Sequence, residues 1–404
     1  MTAARAALTA LLVLAGCTSR PTVRPPVASI APPSTAQMAA PPSATARSTG
    51  AVVVPLPPMR LLGDLSTTLA AFRRGCPTLI KAADPSGLTL PADWVAPCTA
   101  TATDPAAFFA AHFAGVQVGD GRGLDTGYYE PEIAASRTRV VGYDVPLYRR
   151  PPDLIEADLG KFDAGFAGKR VRGRVEGNAF VPYADRAAIM AGAVAGRGLE
   201  LAWAADPYAA FFLEIQGSGR LRLPDGAEMR IGYDSQNGHA YTAIGKLLRD
   251  RGALAPGQAT MAGIIGWLRA HPGEAPAVLA ANRSVVFFRD TTGKPGPVGS
   301  MGVPLAPEVS VAADPAFVPP GAPLWLTTLL PGGGAFAQVV VAQDRGGAIK
   351  GANRLDIFFG HGERAAALAG AMAATGSVTL LLPNAAAARL NSDGAPVDAA
   401  SPRR

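Results

Sequence analysis

The chain has 404 residues, of which 17% are charged, and its formal net charge at pH 7 is +6. This modest positive charge favours an acidic polymer or acidic head groups as partner. No basic stripe or nucleic-acid-binding motif accompanies it, so we expect no nucleic acid partner. After the N-terminal region no segment is long and apolar enough to span a bilayer. Roughly 320 residues remain for globular structure, enough for two domains.

Residues 1–16 have the pattern of a secretory signal peptide. Arg5 precedes an apolar run to Leu14, and the sequence Leu-Ala-Gly-Cys ends at Cys17. A short apolar stretch that ends in small residues is typical of an exported protein. The ending resembles a bacterial lipoprotein cleavage site, which makes Cys17 the lipidated first residue; the alternative is an ordinary signal peptide with an incidental cysteine. Thr18, rather than Asp, follows, so resemblance to lipoprotein sorting implies the periplasmic face of the outer membrane.

Residues 17–59 are predicted to be a disordered tether between the membrane and the globular part. They are rich in Pro, Ala, Ser, Thr and Val and contain almost no aromatic residue. Such a segment cannot bury enough apolar surface to offset the entropy lost on ordering. For the same reason, we expect residues 384–404 to form a flexible tail.

Two cysteines remain once Cys17 is lipidated, namely Cys76 and Cys98. An exported protein folds under oxidising conditions, so we expect a disulfide between them. Two buried thiols are the alternative. No histidine is placed to activate either cysteine as a nucleophile.

Hydrophobic spacing and turn residues predict an alternation of helices and short strands. Helical spacing is found at Leu65–Arg74, Pro105–Phe113, Tyr241–Arg251 and Met261–His271. Short runs bounded by Gly and Pro predict strands at Val140–Tyr148, Phe180–Tyr183, Glu200–Trp203 and Phe211–Gln216. We expect Val285–Arg289 to resume β structure and to open a C-terminal barrel.

No metal or cofactor site is indicated. The four histidines are scattered, and none has the spacing of paired metal ligands. The segment Gln216-Gly217-Ser218-Gly219 lacks the first glycine of the Gly-x-Ser-x-Gly nucleophile motif, which disfavours a serine nucleophile. Its backbone amides and small side chains suit the close approach of a sugar instead.

A β-rich run, Gln338–Ala342, is followed by Asp344 and by a glycine-rich turn. The turn contains Gly346, Gly347 and Gly351, and glycine adopts positive φ without steric cost. The next strand is predicted to place Leu355, Ile357 and Phe359 on one face, and Asp356 and Phe358 on the other. Asp356 then lies against an aromatic neighbour. Apolar surroundings raise the pKa of a carboxyl group, as a proton donor near neutral pH requires.

Five segments, in this order, resemble the membrane-bound lytic murein transglycosylase A family, from about Leu61 to Pro383. They are Thr126-Gly127-Tyr128-Tyr129, Gln216-Gly217-Ser218-Gly219, the segment Gln236–Tyr241, the segment around Asp314, and the segment with Asp344 and Asp356. The resemblance implies a mainly β, α+β fold. A double-psi β-barrel domain is formed by residues 60–128 and 285–383, a second β-domain (129–284) is inserted, and a glycan groove lies between them.

The resemblance also implies the activity, that of a peptidoglycan lytic exotransglycosylase, which is a lyase. Asp356 protonates the leaving O4 of N-acetylglucosamine and then accepts the proton of the C6 hydroxyl of N-acetylmuramic acid, which closes a 1,6-anhydro ring. Asp344 and Thr126 position the site. The implied substrate contacts are Tyr128, Tyr129, Gln216, Gly217, Ser218, Gly219, Asn237, Gly347 and Lys350. The expected partners are peptidoglycan strands, the outer membrane and other cell-wall enzymes.

Three alternatives stay open at this stage. Asp344 and Asp356 could be the acid and base of a hydrolytic muramidase, which uses two carboxylates. Asp344 could instead be a strand-end residue that binds turn amides. A glycan-binding lipoprotein such as rare lipoprotein A shares the double-psi barrel without the catalytic set.

Overall fold

The computed structural model describes residues 44–59, 64–166 and 168–393. In this part of the chain the strands are, in order, β1 (Ala51–Val54), β2 (Phe113–Val118), β3 (Arg122–Glu130), β4 (Glu132–Ser136), β5 (Val145–Tyr148), β6 (Ile155–Asp158), β7 (Arg170–Glu176), β8 (Ala179–Pro182), β9 (Glu200–Ala204), β10 (Ser218–Arg222), β11 (Glu228–Gln236), β12 (Val286–Asp290), β13 (Ser310–Ala313), β14 (Pro323–Leu329), β15 (Ala335–Asp344), β16 (Leu355–His361) and β17 (Ala373–Pro383).

The α-helices of the same residues are α1 (Ala46–Thr49), α2 (Ser66–Leu79), α3 (Val95–Thr99), α4 (Pro105–His112), α5 (Arg186–Met190), α6 (Pro207–Gln216), α7 (Ile244–Asp250), α8 (Met261–Ala270), α9 (Ala275–Ala281), α10 (Gly362–Ala371) and α11 (Asn384–Asp393). α2, α4, α7 and α8 confirm the four helices predicted from spacing. None of the helices in the described residues has the length and apolar character needed to cross a membrane.

An eight-stranded sheet has the order β1-β2-β17-β14-β15-β13-β16-β3, and β3 also pairs with β17. This additional pairing closes a ring of six strands. The core of the ring takes alternate residues of its strands, including Leu324, Val340, Leu355 and Leu380, each at most 1% exposed. The neighbouring residue Val339 is equally buried, but under the helices α2 and α4. β15 is therefore apolar on both faces because both faces are covered.

A second, six-stranded sheet has the order β12-β11-β10-β4-β9-β5. α6 packs Leu213 against this sheet, and its other side, with Phe211 and Phe212, packs against α7, α8 and α9. A separate sheet of three strands, β6-β7-β8, lies in the same part of the chain. The fold is thus a mixture of α and β elements, mostly sheets.

The prediction of a strand at Phe211–Gln216 is wrong, because this segment is the second half of α6. The side chain of Asp206 accepts hydrogen bonds from the backbone N–H groups of Tyr208 and Ala209, and Pro207 occupies the first helical position. Both features favour a helix start. The apolar residues of α6 are buried on two sides, so they form a continuous run that does not distinguish a helix from a strand.

The strand predicted at Val285–Arg289 exists as β12, but it does not open the ring. β12 pairs antiparallel with β11, so it belongs to the six-stranded sheet. The first strand of the ring after it is β13. The strand predicted at Val140–Tyr148 is shorter than expected: β5 begins at Val145, and Val140 forms an isolated bridge with Tyr143.

Both segments predicted to be irregular contain ordered structure. The predicted tether contains α1 and β1. Ala46 of α1 is fully buried, and β1 pairs with β2 of the globular part. α11 occupies the first half of the predicted tail, where Ala386 is fully buried and Arg389 forms a 2.5 Å ion pair with Asp93. Composition misled the prediction because short Ala- and Val-rich segments can bury their apolar atoms against a core formed elsewhere. Cys17, with the rest of residues 1–43, lies outside the described residues.

A disulfide joins Cys76 of α2 to Cys98 of α3, with the two Cα atoms 5.6 Å apart. Cys76 is buried among the aromatic side chains that cover the outer face of the ring. The bond therefore fixes α3 to the helix that lies on β15.

Candidate active site

Asp356 is the second residue of β16, which runs parallel to β3 in the ring. The register places Asp356 opposite Thr126 on β3. Leu355, Ile357 and Phe359 are at most 3% exposed and belong to the ring core. Asp356 is half-buried on the opposite face. The predicted division of this strand into two faces is therefore confirmed.

One oxygen of the Asp356 carboxyl group is held by a chain of hydrogen bonds. The Thr126 hydroxyl donates to Asp356 Oδ1 over 2.5 Å, and Arg354 Nη2 donates to Thr126 Oγ1 over 2.8 Å. Arg354 Nη1 is itself fixed by the Leu124 carbonyl at 2.9 Å. The hydroxyl hydrogen of Thr126 must point at Asp356, because the guanidinium group can only donate. The second oxygen, Oδ2, has no hydrogen bond from any described residue and is the one free to exchange a proton.

The electrostatic surroundings make Asp356 a weak acid. Burial raises the pKa of Asp356 to about 6, and the negative charge of Asp344 adds to this effect. The Thr126 hydrogen bond and the Arg354 charge act in the opposite direction. A carboxyl group with this pKa can both give and take a proton near neutral pH.

Asp344 ends β15 and is held on both carboxylate oxygens. Oδ1 accepts hydrogen bonds from the backbone N–H groups of Ser300 (2.8 Å) and Arg345 (2.9 Å). Oδ2 accepts a hydrogen bond from the Tyr128 hydroxyl over 3.0 Å. Burial raises the pKa of Asp344. This residue thus binds turn amides, as one of the open alternatives expected, and also fixes a tyrosine beside Asp356.

Tyr128 connects the two aspartates. Its ring contacts Phe358, with the ring centroids 5.2 Å apart. Burial, and then the charges of Asp344 and Asp356, raise the pKa of the Tyr128 hydroxyl well above its ordinary value. The hydroxyl is therefore a neutral hydrogen-bond donor near neutral pH.

The segment Gln216–Gly219 lies beside the end of β3. Gln216 Oε1 accepts a hydrogen bond from the backbone N–H of Tyr129 over 3.0 Å, which joins the C-terminus of α6 to the strand that carries Thr126. Gly217 ends α6 with φ +77°, and Ser218 begins β10. At Gly219 a Cβ atom would lie 2.1 Å from Leu213 Cδ1 and 3.0 Å from the Pro131 carbonyl oxygen, so a larger residue would displace the buried Leu213. The segment predicted to contact a sugar is thus next to β3, the strand that carries Thr126.

Asn237 is placed differently from the other predicted contacts. It is fully buried, its Nδ2 donates to the carbonyls of Ala184 and Arg283 at 2.9 Å, and its Oδ1 accepts from the Val285 N–H at 3.0 Å. The side chain holds backbone segments together and leaves no donor for a ligand.

The glycine-rich turn is organised by Asp314. Asp314 Oδ2 accepts a hydrogen bond from the Gly351 N–H over 2.9 Å, and Lys350 Nζ lies 3.9 Å from Asp314 Oδ1. Of the three glycines predicted to have positive φ, only Gly351 does, with φ +98°. At Gly346 a Cβ atom would instead crowd Ile349 Cγ1, at 2.7 Å, while Gly347 is exposed. Lys350 is therefore directed at Asp314 rather than at Asp356.

Sequence reasoning missed two groups next to the site. Asp125, the residue before Thr126, is fully buried, and neither of its carboxylate oxygens has a hydrogen-bond partner among the described residues. Burial raises its pKa to about 6. The second missed group is Arg354. It donates a hydrogen bond to Thr126, which is 228 positions away in the sequence.

Glu130, at the end of β3, forms a buried ion cluster. It is 1% exposed, and its two oxygens bind Arg220 at 2.9 Å and Arg230 at 2.8 Å. Arg230 also donates to the carbonyl of Lys294 over 2.9 Å. Glu130 thus serves packing between the sheets and does not face a ligand.

Two family models match this chain, one over the segment that begins at β3 and one over the segment that contains β15 and β16. Residues 124–289 match the MltA specific insert domain, and residues 309–382 match the 3D domain. A crystal structure of a membrane-bound lytic murein transglycosylase from Agrobacterium tumefaciens superposes with a TM-score of 0.76 at 33% identity, covering 84% of this chain and 99% of that one. The chain belongs to the membrane-bound lytic murein transglycosylase A family.

Two relatives from Escherichia coli add to this comparison. Membrane-bound lytic murein transglycosylase A of strain K12 is 35% identical over 253 residues, and the alignment spans 61% of each chain. The crystal structure of E. coli MltA with bound chitohexaose has a TM-score of 0.62 at 28% identity and covers 82% of this chain and 94% of that one. Within this family the insert-domain match begins just before Thr126, and the 3D-domain match contains Asp314, Asp344 and Asp356.

Proposed function

We propose that this chain is a lytic transglycosylase that cleaves the β-1,4 bond between N-acetylmuramic acid and N-acetylglucosamine in peptidoglycan. The observation that carries the proposal is the state of Asp356, a single carboxyl group with a pKa of about 6 and one free oxygen, held by Thr126 and Arg354. The murein transglycosylase relatives and the chitohexaose complex of one of them support a glycan substrate.

In the proposed reaction Asp356 acts first as an acid and then as a base. Its proton goes to the glycosidic O4 as the bond from C1 to O4 breaks, and the N-acetylglucosamine unit leaves as an alcohol. The C6 hydroxyl of N-acetylmuramic acid attacks C1, and its proton returns to Asp356. The product is a 1,6-anhydro ring, and no water is consumed. Intramolecular attack of this kind is favoured by an effective concentration worth several kcal/mol.

The hydrogen bonds of Asp344 favour this reaction over hydrolysis. A muramidase requires a second carboxylate as base or nucleophile. Both oxygens of Asp344 are already occupied by Ser300, Arg345 and Tyr128. Asp344 therefore positions Tyr128 and the turn, and Asp356 is left as the one carboxylate available for proton transfer among the three family aspartates.

The products distinguish the two reactions. We expect muropeptides with anhydro ends, which borohydride does not reduce and which weigh one water less than hydrolytic products. Purified sacculi are digested in heavy-oxygen water, and the products are analysed by mass spectrometry before and after borohydride treatment, which measures both properties and the origin of the oxygen at C1. Heavy oxygen at C1 in most products would refute the transglycosylase mechanism and support a muramidase.

We also propose that the six-stranded ring is the double-psi β-barrel that the family resemblance implied.

A further proposal is that the mature chain is a lipoprotein on the periplasmic face of the outer membrane. The family is named membrane-bound, and Leu14-Ala15-Gly16-Cys17 supplies an attachment point. Intact-mass spectrometry of protein from membranes should find acyl chains on Cys17. A Cys17→Ala variant that stays in the membrane fraction would contradict this anchoring.

A further inference from the structure

A cleft of about 510 Å³ opens between the three-stranded sheet and the end of β11. Its lining residues are Arg170, Val171, Arg172, Phe180, Val181, Pro182, Gln236, Asn237, Gly238, His239 and Arg283. Clefts of this size hold small ligands or short peptide segments. The loop that carries Gly238 lies directly on β7, since a Cβ atom there would be 2.7 Å from the Arg172 carbonyl oxygen.

The walls of the cleft differ in character. Three arginines, Arg170, Arg172 and Arg283, belong to the lining, and no aspartate or glutamate does. The acids that pair with them are outside the lining: Glu156 is shared by Arg170 and Arg172, and Asp185 binds Arg283 at 3.1 Å. Arg170 and Arg283 stay about 60% exposed, at 61% and 60%. With Asp158, which lies 3.9 Å from Arg170, the acids equal the arginines in number, but only the arginines line the cleft.

The other wall is apolar and ends in a free strand edge. Val171 and Phe180, which line the cleft, are 40% and 44% exposed. β8 pairs with β7 on one side, and no strand in the described residues pairs with its other side. A free edge offers backbone donors and acceptors to an extended peptide, while adjacent pockets receive its side chains.

Tyr233 lies between the cleft and the segment Gln216–Gly219. Its side chain is 41% exposed and lies against Gly217 of the predicted sugar-contact segment. Burial raises the pKa of Tyr233, and the positive charges of Arg172 and Arg345 oppose this. Arg345 directly follows Asp344. Tyr233 is on β11, whose last residue Gln236 lines the cleft, and Gln216, next to Gly217, accepts a hydrogen bond from β3. A continuous set of contacts thus joins the cleft to the strand that carries Thr126.

We propose that this cleft binds a short carboxylate-bearing peptide, extended along the free edge of β8 with its carboxylates at Arg172 and Arg283. The inference rests on the proposed function, because in murein such a peptide is the stem carried by the lactyl group of N-acetylmuramic acid. The cleft then recognises the peptide substituent, while Asp356 acts on the glycan. Guanidinium groups suit this ligand because they form charge-assisted, two-point hydrogen bonds with carboxylates.

The test compares glycan strands that carry peptides with the same strands stripped of peptides by an amidase. We expect Arg283→Gln and Arg172→Gln each to raise KM for peptide-bearing strands by about 10-fold, because each variant loses one charge-assisted hydrogen bond to the peptide. The kcat for these strands should not change. KM for stripped strands should change by less than about 2-fold. Arg139→Gln is the matched control, because Arg139 is an exposed arginine paired with Asp144 outside the cleft.

A direct binding measurement separates this inference from the proposed function. The peptides released by the amidase are titrated into the wild-type and Arg283→Gln proteins by calorimetry, which requires no turnover. Binding that weakens in the variant supports the cleft even if no anhydro product is ever found. An equal rise of KM for both kinds of strand, or no change for either, overturns the inference. Arg283→Gln is the more decisive variant because its exposed side chain can be removed without disturbing the sheet.

Discussion

Replacement of Asp356 by Asn is expected to lower kcat by about 10²- to 10⁴-fold, the usual contribution of a positioned acid or base. The amide retains the size of the carboxyl group and can still accept the Thr126 hydrogen bond, so folding and substrate binding should persist. The measurement is the release of muropeptides from sacculi under saturating conditions. In the wild type kcat should fall as pH rises through about 6, because the first step needs protonated Asp356.

Asp344→Asn is the matched variant for this prediction. Its effect should be smaller, because the residue positions Tyr128 and the turn and exchanges no proton in the proposed reaction. An active Asp356→Asn protein beside an inactive Asp344→Asn protein would reverse the assignment of the two aspartates. A wild-type rate that is flat between pH 5 and 8 would also speak against Asp356 as the acid.

The second large effect is expected on stability, at Asp125. Its pKa rises from an ordinary 3.8 to about 6 in the folded chain, so between these values the folded state binds more protons than the unfolded state. Stability therefore falls as pH rises across this window, by about 3 kcal/mol in total. Asp125→Asn removes the titration, and we expect its free energy of unfolding to fall by correspondingly less between pH 4 and 7.

Urea unfolding of the wild type and the variant at several pH values measures this difference. Asp356 titrates in the same window, but it is present in both proteins, so its contribution cancels. Asp225→Asn, at an exposed turn, is the control and should leave the pH dependence as it is in the wild type. Parallel curves for wild type and Asp125→Asn would show that Asp125 is not a buried, proton-binding group.

How far the sequence predicted the site depends on the range of the interactions involved. The two faces of β16 could be predicted because alternation is a local property, and Leu355, Asp356 and Ile357 obey it. The contact between Arg354 and Thr126 could not, since nothing in the spacing links residues so far apart. α6 was misread because burial on both of its sides removed the helical period. Asn237 was recognised from its motif, but only the structure reveals that its amide is used by the backbone.

The ion cluster of Glu130 bears on how a long polymer can reach the site. The chain passes between the ring and the six-stranded sheet twice, once at the end of β3 and once between β12 and β13, and Arg230 binds both passages, at Glu130 and at the Lys294 carbonyl. Bending at the first passage would separate the buried charges of Glu130 and Arg230, which costs several kcal/mol, and bending at the second would break the hydrogen bond to the Lys294 carbonyl. The cluster therefore ties the end of β3 to β10 and β11 at the junction of the two sheets. Under the proposed function, a murein strand therefore meets two sheets that a buried ion cluster already joins, and part of the arrangement at the site is fixed before the polymer arrives.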